Sequence, residues 1–266
     1  MRIRSPILSC GTIGAEEAVR RAGAGELQLV DATWLLPGES ATNTTLPGTT
    51  AVLDTDAIKA VAVNDRTPDV LASLFETSGV GPTPQIALYD RAGLFSSTWA
   101  WWMLLEIGYT SMVVQGWTED GGEAPEPAPA TLPPRAPHAT SATLAEVVAA
   151  LGTDTQLIDA RAPGRFAGLE PEPREGLRSG HIPGAVNLPF ARVKNGDRFL
   201  TPAETFTLAS SLGIDLAKPI ITYCGSGVTA SALAFVLSRA GATEVRVYMG
   251  SWAEYGATDY PVETGL

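Results

Sequence analysis

The stretch PIITYCGSGVTASALAFVLSRAGATEVRVYMGSW (219–252) decides the fold. It opens on a short apolar run, PIITY, of the length and β-branched content expected of a buried strand. A glycine-flanked cysteine follows, then ASALAFVLSRAG, an apolar segment of helical length closed by Gly241. A further strand-like run completes the unit. Strand, loop, helix and strand in that order predict a parallel crossover unit, with the loop at the carboxyl end of its first strand.

The same pattern occurs earlier in the chain. QIALYDRAGLFSSTWAWWMLLEIGYTSMVVQGW (85–117) parallels residues 219–252, LQLVDATW (27–34) parallels TQLIDARA (155–162), and TPDVLASLFETSGV (67–80) parallels TPAETFTLASSLGI (201–214). The offset stays between 128 and 134 residues across all three pairs, which chance similarity would not maintain. The threonine–proline openings at residues 67 and 201 read as N-cap and first helical residue. The expected fold class is therefore α/β, two copies of one domain, each a parallel sheet flanked by helices. Between them TEDGGEAPEPAPATLPPRAPHAT (118–140) is rich in proline, alanine, glutamate and glycine, and predicts an extended, semi-rigid linker with His138 a solvated bystander. The division expected is a first domain over 1–120, a linker over 121–140 and a second domain over 141–266.

Composition narrows the function. A net charge of −11 over 266 residues argues against nucleic acid or an anionic membrane surface as partner, because both need a basic face. No apolar stretch reaches the length of a bilayer span, and MRIRSPILSCGTIG (1–14) lacks a sustained apolar leader, so a cytoplasmic protein is expected. Two cysteines, Cys10 and Cys224, are too few for a disulfide framework and lack metal-ligand spacing, and no metal site is expected. Cys10 sits outside any motif. The sequence RAGAGEL (21–27) precedes a strand rather than following one, so no nucleotide fingerprint and no organic cofactor is implied.

Cys224 stands at the end of the strand PIITY and at the head of a helix. Gly225 and Gly227 let the loop curl so that N–H groups from Gly225 through Val228 and Thr229 point inward. These amides and the helix N-terminus surround the sulfur with partial positive charge, the setting that favours a nucleophilic thiolate. An inert buried cysteine is the alternative, and a glycine loop at a strand end is a poor place for one.

CGSGVTA (224–230) resembles the active-site loop of the rhodanese superfamily, in the form found in 3-mercaptopyruvate sulfurtransferases. DARAPGRFAGLEPEPREGLRSGHIPGAVNLPF (159–190) and YMGSWAEYG (248–256) carry the resemblance further, and it spans the chain as a tandem pair, stronger in the second half. It implies that Cys224 takes sulfur from a small anionic donor as a persulfide and passes it to cyanide, a small thiol or a thioredoxin-like dithiol. It also implies that Arg165 and Arg174 bind the donor's carboxylate, a role that suits the planar guanidinium fork. The alternative for either arginine is a surface ion pair with Glu170, Glu172 or Glu175. Thiosulfate-type loops tend to carry a basic residue after the cysteine, whereas Gly225 and Ser226 are uncharged, which favours 3-mercaptopyruvate over thiosulfate. By the same resemblance Ser226 faces the bound keto group, and Asp56 in VLDTDAI (52–58) matches an acid of the first domain. The histidine expected with them is missing from KAVAVNDR (59–66). His181 reads as structural.

At the position of Cys224 the first copy has Asp90, which cannot form a persulfide, so that domain is expected to be silent and WAWWM (99–103) to serve packing. A cysteine phosphatase would need arginine six residues beyond the cysteine, where Ala230 stands. A persulfide carrier without a donor pocket remains the other reading.

Overall fold

Gln28–Asp31 and Gln156–Asp159 are one strand in two copies, and the sheets built around them share one order. The computed structural model describes the chain apart from residues 1–10, 35–43, 58–65, 84, 117–120, 124 and 127. It resolves into two units, one for the most part on residues up to Ala139 and one on those from Thr140.

In the amino-terminal unit the strands of the main sheet are β1 (Thr12–Gly14), β2 (Gln28–Asp31), β3 (Thr49–Val52), β4 (Ile86–Tyr89) and β5 (Ser111–Gln115). They form a parallel sheet in the order β1-β5-β4-β2-β3. In the carboxy-terminal unit β6 (Gln156–Asp159), β7 (Val186–Asn187), β8 (Ile220–Tyr223) and β9 (Val245–Val247) run parallel in the order β9-β8-β6-β7. Ala142, bridging Tyr248 in parallel, takes the edge place that β1 holds in the first sheet. The repeat read from sequence spacing is thus a repeat of topology.

The match extends into the cores. Tyr89 and Tyr223 end equivalent strands and are buried, and their hydroxyls accept the backbone N–H of Leu46 and of Ile182 respectively, at 3.1 and 3.2 Å. Burial pushes both phenols well above the usual tyrosine range.

The α-helices described in full are α1 (Ala15–Gly23), α2 (Pro68–Thr77), α3 (Ser97–Glu106), α4 (Leu144–Ala150), α5 (Pro163–Phe166), α6 (Pro202–Ser211), α7 (Val228–Arg239) and α8 (Ser251–Tyr255). Thr67 and Thr201 are the N-caps of α2 and α6, each followed by proline. Thr201 and Glu204 form a reciprocal capping box. Val70 stands where Glu204 does, and α2 forms neither half of that box. The helices that follow the two strand-end loops are the deeply buried ones. Ser97–Leu105 in α3 and Ala230–Ser238 in α7 are buried throughout, the mark of a helix enclosed on all sides. Trp101 and Trp102 are fully buried core residues. Among the described residues no helix is long and apolar enough to cross a membrane.

The proline-rich segment is laid against the amino-terminal unit. Gly122–Glu123 pairs antiparallel with Thr44–Thr45, Leu132 is buried with its N–H on Glu76, and Arg135 covers the ring of Tyr109 at 4.3 Å. Exposed His138 is held through its backbone N–H, 2.8 Å from the carbonyl of Leu105.

Candidate active site

Cys224 leaves β8 at its carboxyl end, 3% exposed, and the chain then turns to start α7. The turn needs Gly227, whose φ of +86° lies in the left-handed region. Its N–H points back and donates to Cys224 Sγ at 3.1 Å. The first-turn N–H groups of α7, which include those of Val228 and Thr229, have no acceptor within the helix, so their dipoles add to that field.

The loop carbonyls are turned away. Trp252 N–H takes the carbonyl of Cys224 at 2.9 Å and Ala253 N–H that of Gly225 at 3.0 Å, both from the first turn of α8. Ser251 fixes the third atom: its Oγ accepts Cys224 N–H at 3.1 Å and donates to the carbonyl of Tyr248 at 2.7 Å. Ser251 does this from a φ of +52°, a conformation that costs an L residue about 1–2 kcal/mol. Glycine would remove that strain but would leave the backbone of Cys224 without its acceptor.

Two arginines reach this loop. A Cβ placed on Gly225 would lie 3.1 Å from Arg165 Nη2, and Arg174 Nη1 is 3.5 Å from the carbonyl of Gly225. Arg165 also meets buried Glu172, Nη2 at 2.5 Å from Oε2 and Nε at 3.2 Å from Oε1. The ion pair considered from sequence and the approach to the cysteine loop therefore coexist. Behind them Arg161, 3% exposed, donates to Asp159, to Glu172 Oε1 at 2.7 Å and to the carbonyl of Gly180 at 2.7 Å. Its guanidinium lies 4.3 Å from the ring centre of Trp252. Burial works against its charge, but Asp159 and then Tyr223 and Glu172 more than offset this, so its pKa ends above the usual arginine value. Arg161, Ser251 and Trp252 were not singled out from the sequence, and Glu172 was named there only as a surface ion-pair partner.

His181 is a framework residue. It stacks on Phe166 at 3.7 Å, its Nδ1 lies 2.8 Å from the carbonyl of Phe166, and its backbone bridges Glu263. Ser226 is half-buried beside Cys224, as is Thr229 in the first turn of α7. Asp56 belongs to the amino-terminal unit, where it is exposed and donates its N–H to Asp54. Cys10 and most of the segment 59–66 lie outside the described residues.

The equivalent loop of the amino-terminal unit holds its own anion. Asp90 is 5% exposed, and its carboxylate accepts four backbone N–H groups: Ala92 and Phe95 on Oδ1 at 3.0 and 3.1 Å, Ser96 and Ser97 on Oδ2 at 3.1 and 2.8 Å. Asp90→Ala is expected to destabilise this unit by about 2–4 kcal/mol, because several buried donors lose a charged acceptor together. Denaturant unfolding followed by tryptophan fluorescence measures it, since α3 carries three buried tryptophans.

A thiol at the head of a buried helix, accepting the N–H of Gly227 and with two arginines at its loop, fits a cysteine nucleophile acting on an anionic substrate. Comparison with known proteins agrees with that class. Residues 143–258 match the Rhodanese-like domain family. The human 3-mercaptopyruvate sulfurtransferase is 34% identical over 94% of this chain and 93% of its own length. A mitochondrial thiosulfate/3-mercaptopyruvate sulfurtransferase of Arabidopsis thaliana is 30% identical over 90% of this chain and 74% of its own. The crystal structure of SseA from Escherichia coli, described as a rhodanese-fold 3-mercaptopyruvate sulfotransferase, superposes with a TM-score of 0.73 at 28% identity, covering 92% of this chain and 99% of that one. The chain belongs to the tandem-domain sulfurtransferases of the rhodanese family.

Proposed function

We propose that the protein moves sulfur from 3-mercaptopyruvate to a thiol or cyanide acceptor through a persulfide on Cys224, with release of pyruvate. The thiolate attacks the donor's sulfur and the C–S bond breaks, its electron pair passing to carbon to give the enolate of pyruvate. That carbon then takes up a proton, for which Ser226, two residues beyond the cysteine, is the candidate donor. In the second half-reaction the acceptor's lone pair attacks the outer sulfur, and the S–S electron pair returns to Cys224. Donated N–H groups such as that of Gly227 stabilise the sulfur anion at both ends of the cycle.

The convergence of Arg165 and Arg174 on the uncharged turn at Gly225 carries this reading. A planar carboxylate suits a guanidinium edge, while Gly225 and Ser226 offer no fixed charge for a compact dianion. Loop residues Gly227, Val228 and Thr229 complete the anion cradle. The amino-terminal unit, with Asp90 in place of a cysteine, is silent in this scheme. A nucleophile of this kind needs a reducing compartment to stay reduced, a condition the cytoplasm meets.

The test is steady-state kinetics with 3-mercaptopyruvate and thiosulfate as separate donors and cyanide as acceptor. The expected kcat/KM for 3-mercaptopyruvate exceeds that for thiosulfate by at least about tenfold, a difference of about 1.4 kcal/mol. Preference for thiosulfate would reassign Arg165 and Arg174 to general anion binding. Turnover of neither donor, with Cys224 still accepting sulfur from a persulfidated protein, would make the chain a carrier.

A further inference from the structure

We infer that Glu172 is the positioning residue that makes Arg165 a carboxylate receptor rather than a generic cation, which deepens the proposed function and rests on its donor site. Arginine has five N–H donors arranged along two usable edges. Glu172 takes the Nε/Nη2 edge of Arg165 with both carboxylate oxygens, at 3.2 and 2.5 Å. The remaining Nη1/Nη2 edge is the fork that matches a substrate carboxylate. This is the end of the guanidinium nearest the cysteine loop, with Nη2 at 3.1 Å and Nη1 at 3.9 Å from a Cβ built on Gly225.

Glu172 is itself fixed. Its side chain is 2% exposed, against 25% for Arg165, and its Oε1 is shared with Nη1 of Arg161. Arg161 is pinned by Asp159, by the carbonyl of Gly180 and by the face of Trp252, whose backbone N–H holds the carbonyl of Cys224. One rigid chain of contacts therefore sets both the cysteine loop and the arginine that faces it. Asp159, Arg161, Glu172 and Arg165 carry two negative and two positive charges, so the buried cluster is balanced.

This arrangement makes an unusual prediction of sign. By field strength alone, removing a carboxylate next to Arg165 would tighten the binding of an anion. By positioning, it weakens binding, because Arg165 loses the partner that orients its plane. Glu172→Gln keeps the shape and removes the charge; Glu172→Asp keeps the charge but is too short to hold both guanidiniums in place.

The probe is pyruvate, an α-keto carboxylate without sulfur, measured as protection of Cys224 from alkylation by iodoacetamide. In both variants the pyruvate concentration for half-protection is expected to rise about tenfold or more, each protein's protection being scaled to its own alkylation rate without pyruvate. In turnover, KM for 3-mercaptopyruvate rises in step, by a larger factor than any slowing in the discharge of a preloaded persulfide to cyanide. Unchanged or tighter protection in either folded variant overturns the inference, as does recovery of wild-type protection by the aspartate. If one variant fails to fold by thermal melting, the other decides. A wild-type protein that pyruvate fails to protect also overturns it. Loss of protection in the variants of a protein that nevertheless prefers thiosulfate would instead remove the donor assignment and leave the positioning role standing.

Discussion

Cys224→Ser is expected to abolish sulfur transfer from every donor, leaving a rate at least about a thousandfold below wild type. A serine hydroxyl is a far weaker nucleophile than a thiolate and cannot store sulfur as a persulfide. The loop should survive the change: Gly227 N–H still finds an acceptor at the same position, and the bonds from Ser251, Trp252 and Ala253 involve only the backbone. Intact-mass measurement after exposure to donor, without acceptor, checks the intermediate directly. Wild type should gain one sulfur atom and the variant none. A variant that still gained sulfur would place the nucleophile elsewhere.

Gly227→Ala is the second large effect, and it works through geometry. A Cβ there would sit 2.9 Å from Met249 Sδ, 3.0 Å from the carbonyl oxygen of Met249 and 3.2 Å from its Cα. A thioether can swing aside, but the backbone of Met249 is followed directly by α8, which anchors the loop. The left-handed φ adds about 1–2 kcal/mol for any side chain. Together we expect about 2–4 kcal/mol of destabilisation. Relief of the contact moves the N–H that points at the sulfur, and displacement of a reacting group by about 1 Å typically costs about a hundredfold in rate. Thermal melting and kcat/KM should therefore fall together. Loss of stability at full activity would show that this N–H is not needed for catalysis.

Much of the architecture was legible because it is periodic and local. Four-residue apolar strands, Thr-Pro helix starts and a constant offset between copies are written within short windows, and the shared sheet order follows from them. Cys224 was legible for the same reason, since strand, glycine turn and helix are consecutive. The supports of the site were not. Ser251 meets Cys224 across 27 residues and Arg161 meets Glu172 across 11, through side-chain contacts with no period to betray them. Glu172 stood inside a quoted motif, but its acidity read as ordinary surface charge, because sequence alone does not say which glutamate of EPEPRE is buried. The strain at Ser251 offered no clue, because a positive φ is not visible in sequence.

Asp90 has one more consequence. In the amino-terminal loop the anion is tethered to its own receptor, so its effective concentration far exceeds that of any ion in solution. Four amide donors are saturated permanently, whatever sulfate, phosphate or keto acid surrounds the protein. The duplicated cradle is thus closed to competitors by a ligand it cannot release. Of the two equivalent loops, an anionic inhibitor is left with the one at Cys224, which in the proposed cycle empties at every turnover.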